Sequence, residues 1–191
     1  MNDKFQNKYR ISSTRLQNWD YGSNVSYFIT ICTKNRKCFF GNIENQIMNL
    51  SEIGQFADKF WTEIPNHFPF VELGVFVIMP NHVHGILIIN KNGFNDNVVE
   101  TRQCLVSTDD SMNTKKTIGQ QRFQNQGKNT ISSIIGSYKS VVSKNAHIIY
   151  PEFDWQYRFH DHIIRDTQSF ERIQNYIMNN RSNWKNDRFY K

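Results

Sequence analysis

Val75-Phe76-Val77-Ile78-Met79-Pro80-Asn81-His82-Val83-His84-Gly85-Ile86-Leu87-Ile88-Ile89 holds two apolar runs joined by a short polar step. Side chains alternate between the faces of a strand. A strand over 82–89 therefore puts His82, His84, Ile86 and Ile88 on one face and Val83, Gly85, Leu87 and Ile89 on the other. Pro80 suits the second position of a tight turn, and so short a connection makes 75–79 and 82–89 antiparallel neighbours. Two imidazoles side by side on rigid backbone are a ready pair of metal ligands. In an oily strand they are costly unless used or well paired. The plain alternative is two histidines satisfied by backbone, and the rest of the chain has to decide.

The chain has 191 residues, a length for one domain, and its hydrophobic content of 38% with 15 Phe is enough for one core. No apolar run approaches the roughly 18–20 residues that cross a bilayer, and Met1-Asn2-Asp3-Lys4 lacks the apolar segment of a signal peptide. The expectation is a soluble, cytoplasmic protein with no membrane partner. Cys32, Cys38 and Cys104 are odd in number and show no C-x-x-C spacing, which argues against a disulfide framework or a cysteine zinc site. Net charge is +6, distributed unevenly. Residues 1–40 carry seven Lys/Arg against two acids, residues 41–90 one against five, and residues 129–191 nine against six. Basic ends around an acidic middle suggest a polyanion partner, with an ordinary solvated surface as the bland alternative.

Upstream of the histidine strand, residues 1–24 interleave Lys4, Lys8, Arg10 and Arg15 with Tyr9, Trp19 and Tyr21. Such an arm suits phosphates and bases. Residues 26–33 are aromatic and β-branched and read as the first strand, followed by a basic loop, Lys34 to Lys37. Residues 51–66 predict a helix capped by Ser51, with Ile53, Phe56, Ala57, Phe60, Trp61 and Ile64 as its core stripe. Downstream, residues 91–128 lose all periodicity and contain ten Asn or Gln, which predicts a mobile insertion. A second helix over 130–146, capped by Asn129 or Thr130, buries Ile131, Ile134, Ile135, Tyr138, Val141 and Val142 and leaves Lys139 outside. Residues 161–165 are a short strand candidate. Asp166 or Thr167 can cap a last helix, 168–180, on which Tyr176 and Asn180 lie four apart and project side by side. The order β–α–β–β–α–β–α predicts an α+β, ferredoxin-like (RRM-like) antiparallel sheet with helices packed on one face. The other face is then free to hold a site around the H-x-H pair.

Met79-Pro80-Asn81-His82-Val83-His84-Gly85 resembles the HUH motif (His, hydrophobic, His) of single-tyrosine endonucleases. Trp155 to Arg165 and Asn175-Tyr176-Ile177-Met178-Asn179-Asn180 are similar to the C-terminal blocks of REP-associated tyrosine transposases. The likeness covers about residues 25–90 and 129–182. The Asn-Pro that usually closes the family's tyrosine block is Asn180-Arg181 here. The resemblance implies an HUH-type transposase that cleaves and rejoins single-stranded or hairpin DNA through a covalent 5′-phosphotyrosine. It assigns Tyr176 as nucleophile, His82, His84 and Asn180 as metal ligands, and Mg²⁺ or Mn²⁺ as cofactor. Arg10, Arg15, Lys34, Arg36, Lys139, Arg158 and Arg165 are the candidate DNA contacts. Monomer and homodimer both stay open.

Rival readings remain at this level. Tyr138 is a second helical tyrosine, but its neighbours place it in an apolar stripe. Asp161 and His162 are rival metal ligands. A non-catalytic nucleic-acid-binding protein on the same fold would want aromatics where the two histidines stand. A zinc hydrolase would want a third strong ligand and an acidic base nearby, and no Asp or Glu lies in the 75–90 block, so one would have to fold in from afar.

Overall fold

A computed structural model describes residues 16, 19–92, 127 and 129–190. Most of the basic arm, with Arg10 and Arg15, and nearly all of the expected insertion 91–128 lie outside the described residues.

Strand β1 (Ser26–Cys32) is followed by a 3₁₀ turn at Lys34–Arg36, by strands β2 (Gly41–Glu44) and β3 (Ile47–Leu50), and by helices α1 (Glu52–Thr62) and α2 (Ile64–His67). Strands β4 (Val71–Met79) and β5 (His82–Ile89) come next, then helix α3 (Ile131–Ile149), strand β6 (His160–Ile164) and helix α4 (Thr167–Met178). The main sheet is antiparallel, in the order β4-β5-β1-β6, the ferredoxin-like arrangement expected from the element order. Side chains cap the helices at their predicted starts. Ser51 Oγ accepts from Gly54 N at 3.1 Å, Asp166 Oδ1 from Ser169 N at 2.7 Å, and Thr130 forms a reciprocal capping box with Ser133.

The element boundaries differ from expectation where local chemistry intervenes. The single helix over 51–66 is two, because Pro65 has no N–H to continue the ladder and sits in the first turn of α2. Residues 41–50, where periodicity is silent, form the β2–β3 hairpin, whose turn residues Asn45 and Gln46 adopt φ of 49° and 66°. Helix α3 continues three residues past 146, and α4 ends at Met178, so Asn180 lies in the turn beyond the helix.

One face of the sheet buries Tyr27, Ile29, Ile31, Val83, Leu87 and Ile89 against α1 and α3. The Leu73/Phe76 bulge in β4 shifts its phase, so that Val71 and Ile78 both reach this core. The last helix departs from the expected layout. Ile173 and Ile177 of α4 pack on Val77, Met79 and Ile86, covering part of the opposite face. The physical reason is that 75–79 and 82–89 are nearly continuous apolar runs, so both of their faces need cover.

Trp61 locks α1 onto the sheet. It is fully buried, with ring centroids 5.9 Å from Phe76 and 5.2 Å from Tyr138, and lies flat against Gly85. A Cβ at position 85 would stand on the indole, 2.9 Å from Cε2, and 3.0 Å from Phe76 Cβ. Gly85→Ala is expected to lower unfolding stability by about 1–3 kcal/mol. Urea titration checks this, and an unchanged midpoint would show that α1 can move aside.

Candidate active site

His82 and His84 are fully buried on the second face, their ring centroids 4.4 Å apart. Each is oriented from behind through Nδ1. The Asn81 side chain donates from Nδ2 to Phe189 O at 2.8 Å and Arg36 O at 3.2 Å, which fixes the amide and turns Oδ1 towards His82 Nδ1 at 2.8 Å. That oxygen can only accept, so His82 carries its proton on Nδ1 and presents the Nε2 lone pair to the site. Thr30, paired with His84 across β1 and β5, holds His84 Nδ1 with its hydroxyl at 2.8 Å. Both Nε2 atoms then point into one space.

Three further groups meet there. The Tyr176 hydroxyl lies 3.3 Å from His84 Nε2, and Tyr176 is 43% exposed, so the phenol reaches both the histidine and solvent. Asn180 is buried, with Nδ2 donating to Asp187 Oδ2 at 3.3 Å. Asp187 comes from the C-terminal segment, where Oδ1 also accepts from Phe189 N at 2.7 Å. Ligand atoms of His82, His84 and Asp187 all lie within 4.8 Å of one another. His82 Nε2 and Asn180 Oδ1 are buried without a hydrogen-bond partner. Orphaned buried acceptors of this kind call for an explanation, and a divalent cation supplies one. Two imidazole nitrogens, a carboxylate and an amide oxygen suit such an ion.

The electrostatics agree with ligation. Burial is the main cause that lowers both histidines, helped by the Arg188 guanidinium. His82 stands well below the usual histidine range and His84 is lowered to about 3. Both rings are therefore neutral at physiological pH, the form that binds metal. Burial, then the Asp187 carboxylate, raises the Tyr176 phenol, while Asn180 and Arg188 pull it back.

The other expected residues scatter. Tyr138 lies in the opposite core, 2% exposed, its hydroxyl donating to Ala57 O at 3.0 Å. Lys34 pairs with Asp154 at 2.8 Å, and Lys139 Nζ donates to Gln156 O at 2.8 Å. Arg165 stacks over Trp19 at 5.9 Å, and Arg158 is exposed. Only Arg36 adjoins the site. Trp19 and Tyr21, expected as stacking residues of an arm, pack against the core. His162 and Asp161 stand on β6, where His162 pairs in register with Phe28. The 75–90 block itself supplies no acid, and the one that joins the histidine pair, Asp187, folds in from the far end of the chain, a residue the sequence reading did not single out. Asn81 and Thr30 were also missed as orienting residues, although Asn81 sits inside the quoted motif.

No family model matches the chain. An uncharacterized protein of Haemophilus influenzae is 38% identical over 179 residues, 93% of this chain and 92% of its own, and this chain belongs to the same family. Among solved structures, a REP-associated tyrosine transposase bound to a REP hairpin matches with a TM-score of 0.56 at 18% identity. The match covers 92% of this chain and 74% of the transposase, and the two share a fold. A candidate transposase of Deinococcus radiodurans reaches a TM-score of only 0.43 at 13% identity, too low to bear on the fold. No helix among the described residues is long and apolar enough to cross a membrane.

Two outcomes follow from this geometry. Asn81→Ala frees His82 to rotate and change tautomer, and Mn²⁺ affinity measured by calorimetry should fall about 10–100-fold. Equal affinity would show that Asn81 does not set the ligand. In EDTA the histidines also couple stability to pH. A folded-state value below the unfolded 6.5 means that the unfolded chain binds the extra proton. Stability is thus full above about 6.5 and falls as pH drops towards about 3, by roughly 1.4 kcal/mol per pH unit for His84 alone. Denaturant midpoints at pH 7.5 and 5 read it, and His84→Asn should flatten the slope.

Proposed function

We propose that this chain is a metal-dependent single-tyrosine transposase of cytoplasmic DNA, cleaving and rejoining single-stranded or hairpin DNA through a 5′-phosphotyrosine. The observation that carries this is the Tyr176 hydroxyl, 3.3 Å from His84 Nε2 and beside the orphaned His82 Nε2 and Asn180 Oδ1. The shared fold with a REP-associated tyrosine transposase, a structure bound to a REP hairpin, supports it.

In the step we infer, Tyr176 loses its proton and its oxygen bonds to phosphorus. The bond from phosphorus to the 3′ oxygen breaks, and the leaving oxygen takes up a proton. Attack by another 3′-hydroxyl reverses the step without ATP, because the phosphodiester bond is conserved in the protein linkage. His82, His84, Asp187 and Asn180 are the residues that would hold Mg²⁺ or Mn²⁺, which when bound polarises the scissile phosphate and offsets transition-state charge. The phenol is raised above its ordinary value, so it keeps its proton at neutral pH until the site is loaded. Arg36, which adjoins the site, is the DNA contact we retain from the expected set; Lys34 and Lys139 are already engaged within the protein.

A metal hydrolase could use the same two histidines and carboxylate. It would have no need of a phenol against His84. A non-catalytic binder would leave the buried, partnerless Nε2 of His82 without a purpose.

Tyr176→Phe should abolish the denaturant-resistant protein–DNA adduct formed with labelled hairpins and Mn²⁺, while DNA affinity persists. Its stability should move only by about 0.5–1.5 kcal/mol. Tyr138→Phe should keep the adduct. An adduct in the Tyr176 variant, or one that maps to the Tyr138 peptide, would refute the assignment.

A further inference from the structure

Two arginines stand over the histidine pair on a single aromatic ring. Phe189 is buried, its ring centroid 4.5 Å from that of His82 and 5.8 Å from that of His84. Arg188 Cζ lies 4.6 Å from the Phe189 centroid and Arg36 Cζ 5.1 Å. Arg36 is held there by its surroundings. Its Nη1 donates to Arg188 O at 2.9 Å, and its own carbonyl accepts from Asn81. Its backbone is left-handed, φ 54°, directly after Asn35 at φ 54°. Two consecutive non-glycine residues in that region are uncommon and persist only when their neighbours over-determine them, as happens at functional sites.

An aromatic face positions a cation without neutralising it. Among the described residues neither guanidinium has a carboxylate partner within ion-pair distance, so both charges remain available to a ligand. Arg188 is exposed. Its guanidinium lies near enough to Cys32 on β1, His82 and His84 on β5, His160 on β6 and Tyr176 on α4 to bear on the charge of each.

We propose that Arg188 and Arg36, mounted on Phe189, clamp the phosphate group that Tyr176 attacks. The clamp rests on the single-tyrosine reading and adds to it a cationic site for the non-bridging oxygens. A guanidinium offers parallel donors that match two such oxygens, and charge accumulates on them as the phosphoryl group transfers. The C-terminal segment thereby supplies both the Asp187 carboxylate and an arginine to the site.

The test compares wild type, Arg188→Ala and Arg188→Lys on hairpins carrying either the native phosphodiester or an uncharged methylphosphonate at the cleaved position. Single-turnover cleavage of the native strand should slow roughly 100-fold in Arg188→Ala, with only partial recovery in Arg188→Lys. The methylphosphonate should penalise Arg188→Ala less than it penalises wild type, because the charge that Arg188 meets is already gone. Binding is read separately. The slope of log affinity against log salt should become shallower by about 0.7 when one phosphate of a single strand is no longer neutralised. Equal cleavage by wild type and Arg188→Ala, or the same loss on both substrates, overturns the clamp. If wild type forms no adduct at all, the transposase reading fails. The clamp, which needs an attacked phosphate, falls with it, and a shallower slope in Arg188→Ala then shows only that this arginine meets a phosphate.

Discussion

The buried amide of Asn81 ties together three parts of the chain that are distant in sequence. Its oxygen fixes the tautomer of His82, and its nitrogen binds the carbonyls of Arg36 and Phe189, the latter 108 residues away. Its backbone carbonyl accepts from both Thr33 N and Thr33 Oγ1, each at 3.0 Å. One residue therefore sets a ligand, anchors the turn after β1 and docks the C-terminal segment. Remove it and the histidine, the arginine and the carboxylate lose their common reference. A buried amide satisfied on both sides is worth more than its separate hydrogen bonds, because each partner left behind would be an unsatisfied polar group.

The histidine pair shows why the surrounding sheet is so apolar. An exposed pair would be partly protonated near neutrality and would compete poorly for a cation. Burial among Val77, Met79, Ile86 and Ile164 removes that competition by penalising the charged form. The penalty would destabilise the fold if the rings had no partners. Thr30 and Asn81 satisfy each Nδ1, and only the inward-facing Nε2 of His82 is left without a partner. The same apolar surface draws α4 onto this face, and with it Tyr176 and Asn180. Packing of Ile173 and Ile177 is thus what sets the phenol against His84.

Much of the sheet was legible because β1 is rich in aromatic and β-branched residues and β4 and β5 are apolar runs split by Pro80-Asn81, and because Ser51 and Asp166 announce helix starts by their own chemistry. The Tyr176–Asn180 pairing followed from helical spacing, although α4 ends two residues before Asn180. Composition failed where one residue type serves two purposes. Trp19 and Tyr21 looked like stacking residues in a basic segment, yet they pack against the core. Asp187 was illegible for a different reason. It sits between Asn186 and Arg188 in a basic, aromatic tail, and only the docking of Phe189 brings its carboxylate to the histidines. The β2–β3 hairpin escaped because its turn needs positive φ at Gln46, which the residue type does not advertise.

The uneven charge of the chain acquires meaning once the fold closes. The basic stretch after β1 and the basic C-terminal tail are separated by an acidic middle, yet Asn81 and Phe189 bring Arg36 and Arg188 to one aromatic ring. Neutral imidazoles and a protonated phenol contribute no charge there, and Asp187 contributes one negative charge against two guanidiniums. A divalent cation would raise the local positive excess further. An anionic ligand carried in from outside would offset that excess. A phosphodiester fits that requirement, since it brings negative charge, oxygens for the arginines and an electrophilic phosphorus within reach of Tyr176. The overall charge of +6 would then assist the encounter at long range, and the clamp would act at contact.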